Sequence, residues 1–303
     1  MEKNINIVID KAKELGCEVL INEPLSRYTT FRVGGAAAAL IKTETTESLS
    51  ILFALCNKLD VRNFVIGNGS NLLVNDNGYD GIVFKLEGEF TNIYIDDENI
   101  IRCGAGATLA KLCKFAAEHN LSGLEFAWGI PGTVGGAAFM NAGAYGGEMK
   151  DVVASSSYID KDGNPGTIDA GELDFSYRHS VYSDNGFIIT GVTFKLTHDN
   201  AVEINHRMDD FLSRRKEKQP LNYPSAGSVF KRPGKEIYVG KLVQDCGLKG
   251  KQIGGAQVSE KHAGFIINKS NATCADVCSL IEYVQNVVLE EKGVKLECEI
   301  RRI

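Results

Sequence analysis

GLEFAWGIPGTVGGAAFMNAGAYGGEM, residues 123–149, is the stretch that decides the fold of this chain. It holds eight glycines and the single tryptophan, Trp128, and carries no charge between Glu125 and Glu148. Such a run is too rich in glycine to favour a helix and too interrupted to favour a plain strand. Glycine permits positive φ and close approach of another body, and successive bare N–H groups form nests for anions. The stretch therefore predicts a phosphate-binding loop, with a tight packing corner that holds no ligand as the alternative.

A second glycine-rich turn, GNGSN, follows residues 61–66, which we predict to form a buried strand. A strand that runs into such a turn is a suitable cradle for phosphate. It is not the dinucleotide fingerprint G-x-G-x-x-G, because Leu72 takes the place of the third glycine, and GAGATL fails in the same way at Leu109. The sequence contains no G-x-x-x-x-G-K-[ST] motif either. These patterns indicate a phosphate-bearing ligand held by a different scheme.

Length and composition narrow the class of protein. A chain of 303 residues with 44% hydrophobic and 24% charged residues is expected to fold as more than one globular domain. The formal net charge of −6, without a dense Lys/Arg run, argues against a nucleic-acid partner. No apolar run is long enough to span a membrane, and Cys274 and Cys278 lack a second ligand pair, so we expect neither a membrane segment nor a metal site. Eight scattered cysteines and no secretory leader indicate a reduced, cytoplasmic chain.

Apolar periodicity and turn signals predict a mixture of helices and strands. The helices are expected at 4–16, 47–59, 108–119, 202–218, 238–246 and 273–292, with Thr108 and Thr273 as N-caps and Gly293 beyond the last helix. Strands are expected at 61–66, 152–159 and 187–196, within 254–267, and at 296–303, where apolar and charged residues alternate. Turn residues at 198–201 mark a domain boundary.

Six motifs in register carry a family resemblance. They are RYTTFRVGG (27–35), GNGSNLLV (67–74), GIPGTVGGAAFMNAGAYGGEM (129–149), SYRHS (176–180), GSVFKRP (227–233) and LECEIRRI (296–303). In this order and spacing the chain resembles the UDP-N-acetylenolpyruvoylglucosamine reductase family from about residue 27 to its C-terminus. The resemblance implies an NADPH-dependent flavoenzyme that reduces the enolpyruvyl ether of UDP-N-acetylglucosamine-enolpyruvate to UDP-N-acetylmuramate, in bacterial peptidoglycan precursor synthesis.

The resemblance also implies a fold and a set of partners. The fold is α+β: a two-lobed FAD-binding domain of the p-cresol methylhydroxylase/vanillyl-alcohol oxidase type, then an α+β substrate-binding domain. We place lobe 1 at 1–86, lobe 2 at 87–200 and the substrate-binding domain at 201–303, whose C-terminal strand returns to the active site. The cofactor is non-covalent FAD, NADPH is the hydride donor and a UDP-sugar is the substrate. We expect a monomer with neither a nucleic-acid nor a membrane partner.

The cofactor contacts are carried over residue by residue. The pyrophosphate is expected on Gly67, Asn68, Gly69, Ser70 and Asn71, and the flavin and its phosphates on Gly129, Ile130, Pro131, Gly132, Thr133, Gly135 and Gly136. Arg32 lies in the family's first FAD-contacting segment, with a surface charge as the alternative. Asn141 and Tyr145 either face the flavin or brace the loop.

Three catalytic residues match the family motifs. Hydride addition to C3 of the vinyl group leaves negative charge at C2, which needs donors and a proton. The resemblance makes Ser228 the proton donor, Arg178 the partner of the substrate carboxylate, and Glu299 a neighbour that is useful chiefly when protonated. From the residues alone, Ser228 is a small residue in a tight turn. Glu299 is then one more solvated carboxylate on a strand, with Glu297 on the same face.

The UDP-binding residues are less defined. Lys231, Arg232, Gln257 and His262 are candidates for contact with the diphosphate or the sugar, and solvated loop residues are the alternative. Longer family members insert a tyrosine-bearing segment after the Tyr-Arg-x-Ser motif, whereas here only residues 181–186 precede the next strand. The chain therefore resembles a shorter class, and how the diphosphate is covered stays open.

Two other functions are compatible with parts of the sequence. A flavin oxidase of the same superfamily would need no proton donor such as Ser228, and fast reoxidation of its reduced flavin in air would distinguish it. A sugar-nucleotide-binding regulator without redox function would stay colourless after addition of FAD.

Overall fold

The computed structural model describes residues 2–234 and 237–303. The helices are α1 (Glu2–Glu14), α2 (Thr46–Lys58), α3 (Leu109–Glu118), α4 (Val134–Phe139), α5 (Tyr182–Asn185), α6 (Ala201–Lys218), α7 (Val239–Asp245) and α8 (Cys274–Lys292). The strands are β1 (Glu18–Pro24), β2 (Ala36–Thr43), β3 (Asn63–Ile66), β4 (Leu72–Leu73), β5 (Tyr79–Leu86), β6 (Ile93–Asp97), β7 (Ile100–Gly104), β8 (Leu121–Ser122), β9 (Gly143–Ala144), β10 (Gly147–Glu148), β11 (Val153–Ile159), β12 (Pro165–Asp169), β13 (Ile188–Lys195), β14 (Thr197–His198), β15 (Ser225–Ser228), β16 (Gln252–Ile253), β17 (Ala256–Val258), β18 (Phe265–Asn268) and β19 (Arg301–Arg302).

Local capping sets the bounds of the longer helices. The Thr108 hydroxyl accepts from the N–H of Lys111 and so caps α3. Thr273 and Asp276 form a capping box at the start of α8, and Gly293 ends that helix with φ of +66°. Each device satisfies backbone groups that the helix itself leaves unpaired. The predicted caps of these two helices are therefore confirmed.

The chain divides into two compact units, each assembled from separate segments. Unit 1 contains residues 1–21, 38–68 and 80–214, and unit 2 contains 22–37, 69–79 and 215–303. Residues 22–37 and 69–79, which the sequence analysis assigned to lobe 1, thus group with the C-terminal segment. The division into two lobes and a third domain stays a prediction.

Unit 1 is built mainly from two sheets. One has the strand order β1-β2-β5-β3, with β3 parallel to β5, and the other has the order β12-β11-β13-β7-β6. A single apolar core joins α1, α2, α3 and α6 to these sheets, with Phe84, Leu112 and Phe194 fully buried. Burial of such side chains supplies most of the driving force for folding.

Unit 2 has its own core around a four-stranded sheet. The strand order is β15-β18-β17-β16, and Val277, Leu280 and Ile281 of α8 are fully buried in the core beside it. Near the C-terminus, β19 pairs in parallel with β4. The mixture of helices and antiparallel strands confirms the predicted α+β class.

One expectation for residues 123–149 was wrong. This stretch contains a helix, α4, although glycines occupy its second and third positions. The Thr133 hydroxyl caps the helix, and its glycine and alanine residues pack closely, which offsets the poor propensity of glycine.

The described part of the chain has no helix that combines the length and apolar character needed to cross a bilayer. It also holds no group of three His, Cys, Asp or Glu side chains placed to bind a metal ion. The eight cysteines are all free thiols.

Candidate functional site

The loop before α4 is held by a second glycine-rich segment, GAGATL. The N–H of Leu109 donates to Gly132 O at 3.0 Å, and the N–H of Val134 donates to Ala107 O at 2.8 Å. Gly135 donates to Ala105 O at 2.9 Å, and a Cβ at Gly135 would lie only 2.8 Å from the Ala105 Cβ. Glycine is therefore needed at 135 for packing against the protein itself.

The first N–H groups of α4 are used internally. Those of Val134 and Gly135 pair with residues 105–107, and that of Gly136 donates to the Thr133 hydroxyl at 3.4 Å. Within the described residues, the N–H groups of Gly129, Gly132 and Thr133 have no protein acceptor. The donors left for a ligand thus lie before the helix and not in its first turn.

The turn after β3 meets the cap of α4. A Cβ at Gly67 would collide with the Thr133 hydroxyl, so only glycine allows this approach. Lys85, opposite Ile66 on the neighbouring strand, donates from Nζ to Gly67 O at 2.6 Å. Burial lowers the pKa of Lys85. The sequence alone did not indicate a role for Lys85, because there it is a single charged residue in an apolar strand.

The GNGSN turn, residues 67–71, continues into unit 2 and contains consecutive backbone N–H groups that are available to a ligand. The N–H groups of Gly69, Ser70 and Asn71 have no protein acceptor among the described residues, and Gly69 has φ of +57°. A Cβ at Gly69 would lie 2.7 Å from the Thr29 Cα. Successive free N–H groups beside a left-handed residue form an anion nest. Such a nest suits an anion such as a pyrophosphate.

A buried indole also lacks a partner. Trp128 directly precedes the 129–136 loop, and its Nε1 is buried with no acceptor in the described chain. Unpaired buried donors are rare because they cost free energy. A ligand beside this loop would supply an acceptor, and the sequence analysis did not single out the indole for that role.

Arg178 lies on a two-residue turn of unit 1. Ser176 and His179 exchange both backbone hydrogen bonds at 3.2 Å, and Arg178 between them has φ of +57°. The guanidinium lies 5.2 Å from the centre of the Tyr177 ring. Nδ1 of His179 contacts Asp174 O and Nε2 contacts the Asp184 carboxylate, both at 3.1 Å. The hydrogen bond with the backbone oxygen of Asp174 does most to raise the pKa of His179. The hydrogen bond and the negative charge of the Asp184 carboxylate raise it further.

Asn141 and Tyr145 brace the loop. Asn141 is 1% exposed, and its amide bonds to Ser176 O, Glu148 and the N–H of Lys150. Tyr145 stacks on Phe211, with ring centres 4.7 Å apart. The bracing alternative for these two residues accounts for the contacts observed.

Ser228 follows a bulge at the end of β15. The register of β15 against β18 shifts between Ser225 and Ser228, and Gly227 takes φ of +77°. Glycine at the left-handed position of a bulge re-aims the residue that follows. The Ser228 hydroxyl is half-buried and has no hydrogen-bond partner among the described residues, so it is available to a ligand.

The C-terminal segment pairs with the residues after Ser228. The N–H of Glu299 donates to Val229 O at 2.7 Å, and that of Lys231 donates to Glu297 O at 2.8 Å. The amide of Asn71 also donates to Glu299 O, at 3.2 Å. Unit 2 therefore brings Ser228, Glu299 and Asn71 into one neighbourhood.

The two glutamates of this segment differ in environment. The Glu297 carboxylate is 72% exposed and lies 4.0 Å from the ammonium of Lys231, whereas Glu299 is half-buried. An exposed ion pair of this kind contributes little free energy. The two carboxylates, which the alternation of the sequence placed on one face, thus differ in exposure.

The four UDP-binding candidates have partners of different kinds. Arg232 lies over the Tyr238 ring at 5.0 Å, and the amide of Gln257 donates to Gly250 O at 3.2 Å. Nδ1 of His262 accepts from the N–H of Gly264 at 3.1 Å, which leaves Nε2 for a ligand. Burial lowers the pKa of His262, and the positive charge of Lys249 lowers it further. The lowered pKa favours the neutral form of the ring.

Arg32 borders a cavity of unit 2. It is exposed, has φ of +56° and lines a cavity of about 510 Å³ within unit 2, together with residues 33–35, Asp76 and 268–273. The Asp76 carboxylate of this cavity accepts from the N–H groups of Cys274 and Ala275, at 2.7 and 3.0 Å.

An ion-pair network anchors the start of the 123–149 stretch. Glu125 is 7% exposed and accepts from Arg207 at 2.8 Å, from the Ser122 hydroxyl at 2.8 Å and from the N–H of Gly123 at 2.8 Å. Burial raises the pKa of Glu125, but these hydrogen bonds outweigh it, so the pKa lies below its usual value. Arg207 also pairs with Asp199 at 2.6 Å.

Comparison with known proteins places the chain in a family. Residues 219–303 match the UDP-N-acetylenolpyruvoylglucosamine reductase C-terminal domain, and residues 37–168 match an FAD binding domain. A reductase of that name from Clostridium botulinum is 49% identical over 94% of this chain and 92% of its own length. One from Caldanaerobacter subterraneus is 47% identical over 97% of both. The chain belongs to the UDP-N-acetylenolpyruvoylglucosamine reductase family.

A solved structure agrees with this family. The UDP-N-acetylenolpyruvylglucosamine reductase of Thermus caldophilus has a TM-score of 0.80 at 38% identity, covering 94% of this chain and 98% of its own. The predicted family, enzyme class and FAD-binding domain are thereby confirmed. Neither an oxidase nor a regulator without redox function is indicated by these relatives. The roles of the individual residues stay predictions.

Proposed function

We propose that this chain reduces the enolpyruvyl ether of UDP-N-acetylglucosamine-enolpyruvate with NADPH and FAD, using Ser228, Arg178 and Glu299 as catalytic residues. Membership of the reductase family over nearly the whole chain supports the reaction. The pairing of the Ser228 segment with the Glu299 segment is the observation that carries the site, because it joins two of the three residues within unit 2.

Backbone donors hold the cofactor in this proposal. The free N–H groups of Gly69, Ser70 and Asn71 hold the pyrophosphate, with Gly67 and Asn68 leading into the turn. Residues 129–133 line the flavin, while Gly135 serves chiefly in packing against Ala105 and Gly136 is an exposed helix residue whose N–H donates to the Thr133 hydroxyl. When bound, FAD carries a hydride from NADPH to the vinyl carbon C3 of the substrate.

Ser228 supplies the proton that completes the reduction. Hydride addition at C3 leaves negative charge at C2, and the Ser228 hydroxyl gives its proton to that carbon. A serine hydroxyl is a weak acid, so the growing basicity of C2 and neighbouring donors must assist it. The hydroxyl is suited to this task because it is half-buried and not committed to a protein acceptor among the described residues.

Arg178 and Glu299 stabilise the charge that develops on the substrate. The planar guanidinium of Arg178 can pair with both oxygens of the substrate carboxylate, into which charge from C2 is delocalised. Glu299, protonated, donates a hydrogen bond to the same centre. Glu299 is half-buried whereas Glu297 is exposed and close to Lys231, so we assign the role to Glu299.

The remaining candidates contact the UDP moiety. Lys231 and Arg232 follow the serine in the chain and supply positive charge for the diphosphate. His262 offers Nε2, since its Nδ1 is already bonded within its own turn, and Gln257 offers its carbonyl oxygen. We further propose that the protein is a cytoplasmic monomer and that Arg32 contacts FAD.

Replacing Ser228 tests this function. In Ser228→Ala, anaerobic bleaching of the flavin by NADPH should stay almost intact. Flavin reoxidation by substrate should slow by roughly 10²–10⁴-fold, the usual worth of general acid catalysis. Stopped-flow absorbance separates the two steps. Ser225→Ala, the same change at the other end of β15, is the control and should alter neither step. Equal damage to both steps in Ser228→Ala would mean that the serine is structural.

A further inference from the structure

We propose that Asn141 is a positioning residue for Arg178, whose side-chain amide fixes the turn that carries the arginine. This inference rests on the proposed function, in which Arg178 pairs with the substrate carboxylate. Asn141 lies outside the segments proposed to bind FAD, and no step described above uses it.

The turn needs an external support. Arg178 is a non-glycine residue with φ of +57°, a conformation that is strained for a residue with a Cβ. Such strained residues persist only where the surroundings fix them, and they cluster at functional sites. Within the turn, two backbone hydrogen bonds of 3.2 Å join Ser176 and His179.

The amide of Asn141 supports this turn at its closing pair. Its Nδ2 donates to Ser176 O at 3.0 Å, the same oxygen that accepts from the N–H of His179. The second Nδ2 proton goes to Glu148 Oε2 at 2.8 Å, and Oδ1 accepts from the N–H of Lys150 at 3.0 Å. Both amide protons and one lone pair are thus used at a site that is 1% exposed.

The contacts also fix which way the amide points. Oxygens face Nδ2 on two sides, and a backbone N–H faces Oδ1, so a flipped amide would lose all three bonds. Aspartate would keep the bond to Lys150 but would face Ser176 O and Glu148 with oxygen. The position therefore specifies an amide, and not merely a small polar residue.

Two further contacts restrain the neighbours of Arg178 without reaching Ser176. The buried Ser180 donates to Phe139 O at 2.8 Å, and His179 is held by Asp174 and Asp184. These act on the C-terminal side of the turn. Asn141 acts on the N-terminal side at Ser176 O, so loss of its amide removes a hydrogen bond from the closing pair of the turn.

Looser attachment of the turn that carries Arg178 should affect the step in which substrate is reduced. A carboxylate held by a guanidinium fork depends on the orientation of the fork, and small displacements at a reacting centre cost up to about 10²-fold in rate. Reduction of the flavin by NADPH involves no substrate carboxylate. Loss of the Asn141 amide should thus slow the substrate step and spare the NADPH step.

Asn141→Gly provides the test, because glycine tolerates the φ of +40° at this position. We expect flavin reoxidation by substrate to slow roughly 10- to 100-fold while NADPH-driven bleaching is unchanged. Asn120→Gly is the matched control: it has φ of +57° in the same unit, and its side chain makes no hydrogen bond among the described residues. If Asn141→Gly does not retain FAD, Asn141→Ser gives the same comparison, because it also removes the amide and adds no charge.

A double-mutant cycle with Arg178→Ala decides between positioning and general damage. If Asn141 acts through Arg178, Asn141→Gly should have almost no effect on the substrate step in the Arg178→Ala background. Multiplicative effects of the two changes would overturn the positioning role. An Arg178→Ala protein with normal substrate reduction would instead overturn the proposed role of Arg178 itself, so the two failures are distinguishable.

Discussion

The two glycine-rich turns, residues 67–71 and 129–136, have similar compositions but use their backbone donors differently. In the first, the N–H groups of Gly69, Ser70 and Asn71 have no acceptor within the described residues. In the second, those of Val134, Gly135 and Gly136 donate to oxygens of the chain itself. The first turn thus leaves three consecutive N–H groups for a ligand, whereas in the second only those before the helix, at Gly129, Gly132 and Thr133, have no acceptor among the described residues.

This difference shows why glycine content alone does not locate a phosphate. Both turns permit close approach of another segment of the protein, Ala105 at Gly135 and residues 28–29 at Gly69. What separates them is the fate of the N–H groups, which depends on residues 105–109 and cannot be read from either turn.

Gly69→Ala should have the largest effect. The new Cβ would lie 2.7 Å from the Thr29 Cα at a residue with φ of +57°. Strain of this kind costs about 1–3 kcal/mol before any clash is counted, so FAD affinity should fall by roughly 10²-fold. Flavin fluorescence titration of the apoprotein measures it. Gly247→Ala, also at positive φ (+68°) but with open space around it, is the control. Unchanged FAD binding in Gly69→Ala would refute the nest.

Glu125→Gln should act on the stability of unit 1 and much less on FAD affinity. It removes the charge partner of Arg207, whose side chain is 37% exposed, so we expect a loss of about 2 kcal/mol, below the range for fully buried pairs. Because the folded-state pKa of Glu125 is depressed, its contribution is present at neutral pH and is lost as pH falls through that pKa.

Urea unfolding at several pH values checks this prediction. The difference between the wild type and Glu125→Gln should be constant near neutral pH and shrink below about pH 4. A difference that persists at lower pH would show that the ion pair is not its source.

Gly136→Ala should have the smallest effect, and of opposite sign. Gly136 is exposed in α4, and its new Cβ would lie 3.4 Å from the Thr133 hydroxyl, an ordinary contact. Alanine at a compatible helical position stabilises by about 0.4–1 kcal/mol. Differential scanning fluorimetry of the apoprotein should show a small rise in Tm, with FAD affinity within about threefold of wild type. A larger loss of affinity would place Gly136 against the cofactor.

Much of the fold follows from local signals. The Thr273 cap, the apolar period and Gly293 set the bounds of α8 from its own sequence. The helix α4 could not be predicted in this way, because six residues with two glycines do not form a stable helix alone. It depends on pairing with residues 105–109, which the sequence presented only as a failed dinucleotide fingerprint.

The candidate site was predicted in part. Six motifs identified the family, and Gly227 before Ser228 is a local sign of the bulge that the structure shows. Lys85 and the unpaired Trp128 indole gave no such sign, since the first is an isolated charge and the second an ordinary aromatic residue in the sequence. The role of Asn141 needs the distance to Ser176, which no spacing rule supplies.

Unit 2 contains a strand pairing between residues that are far apart in the sequence, because β19 at 301–302 pairs in parallel with β4 at 72–73. During synthesis on the ribosome, β4 therefore emerges long before its partner, and the intervening residues must wait for the pairing. Non-local pairing of this kind slows folding and leaves strand edges open to wrong partners. The nascent protein should thus depend on chaperones until its final strand is available, and unit 2 should be the slow-folding half.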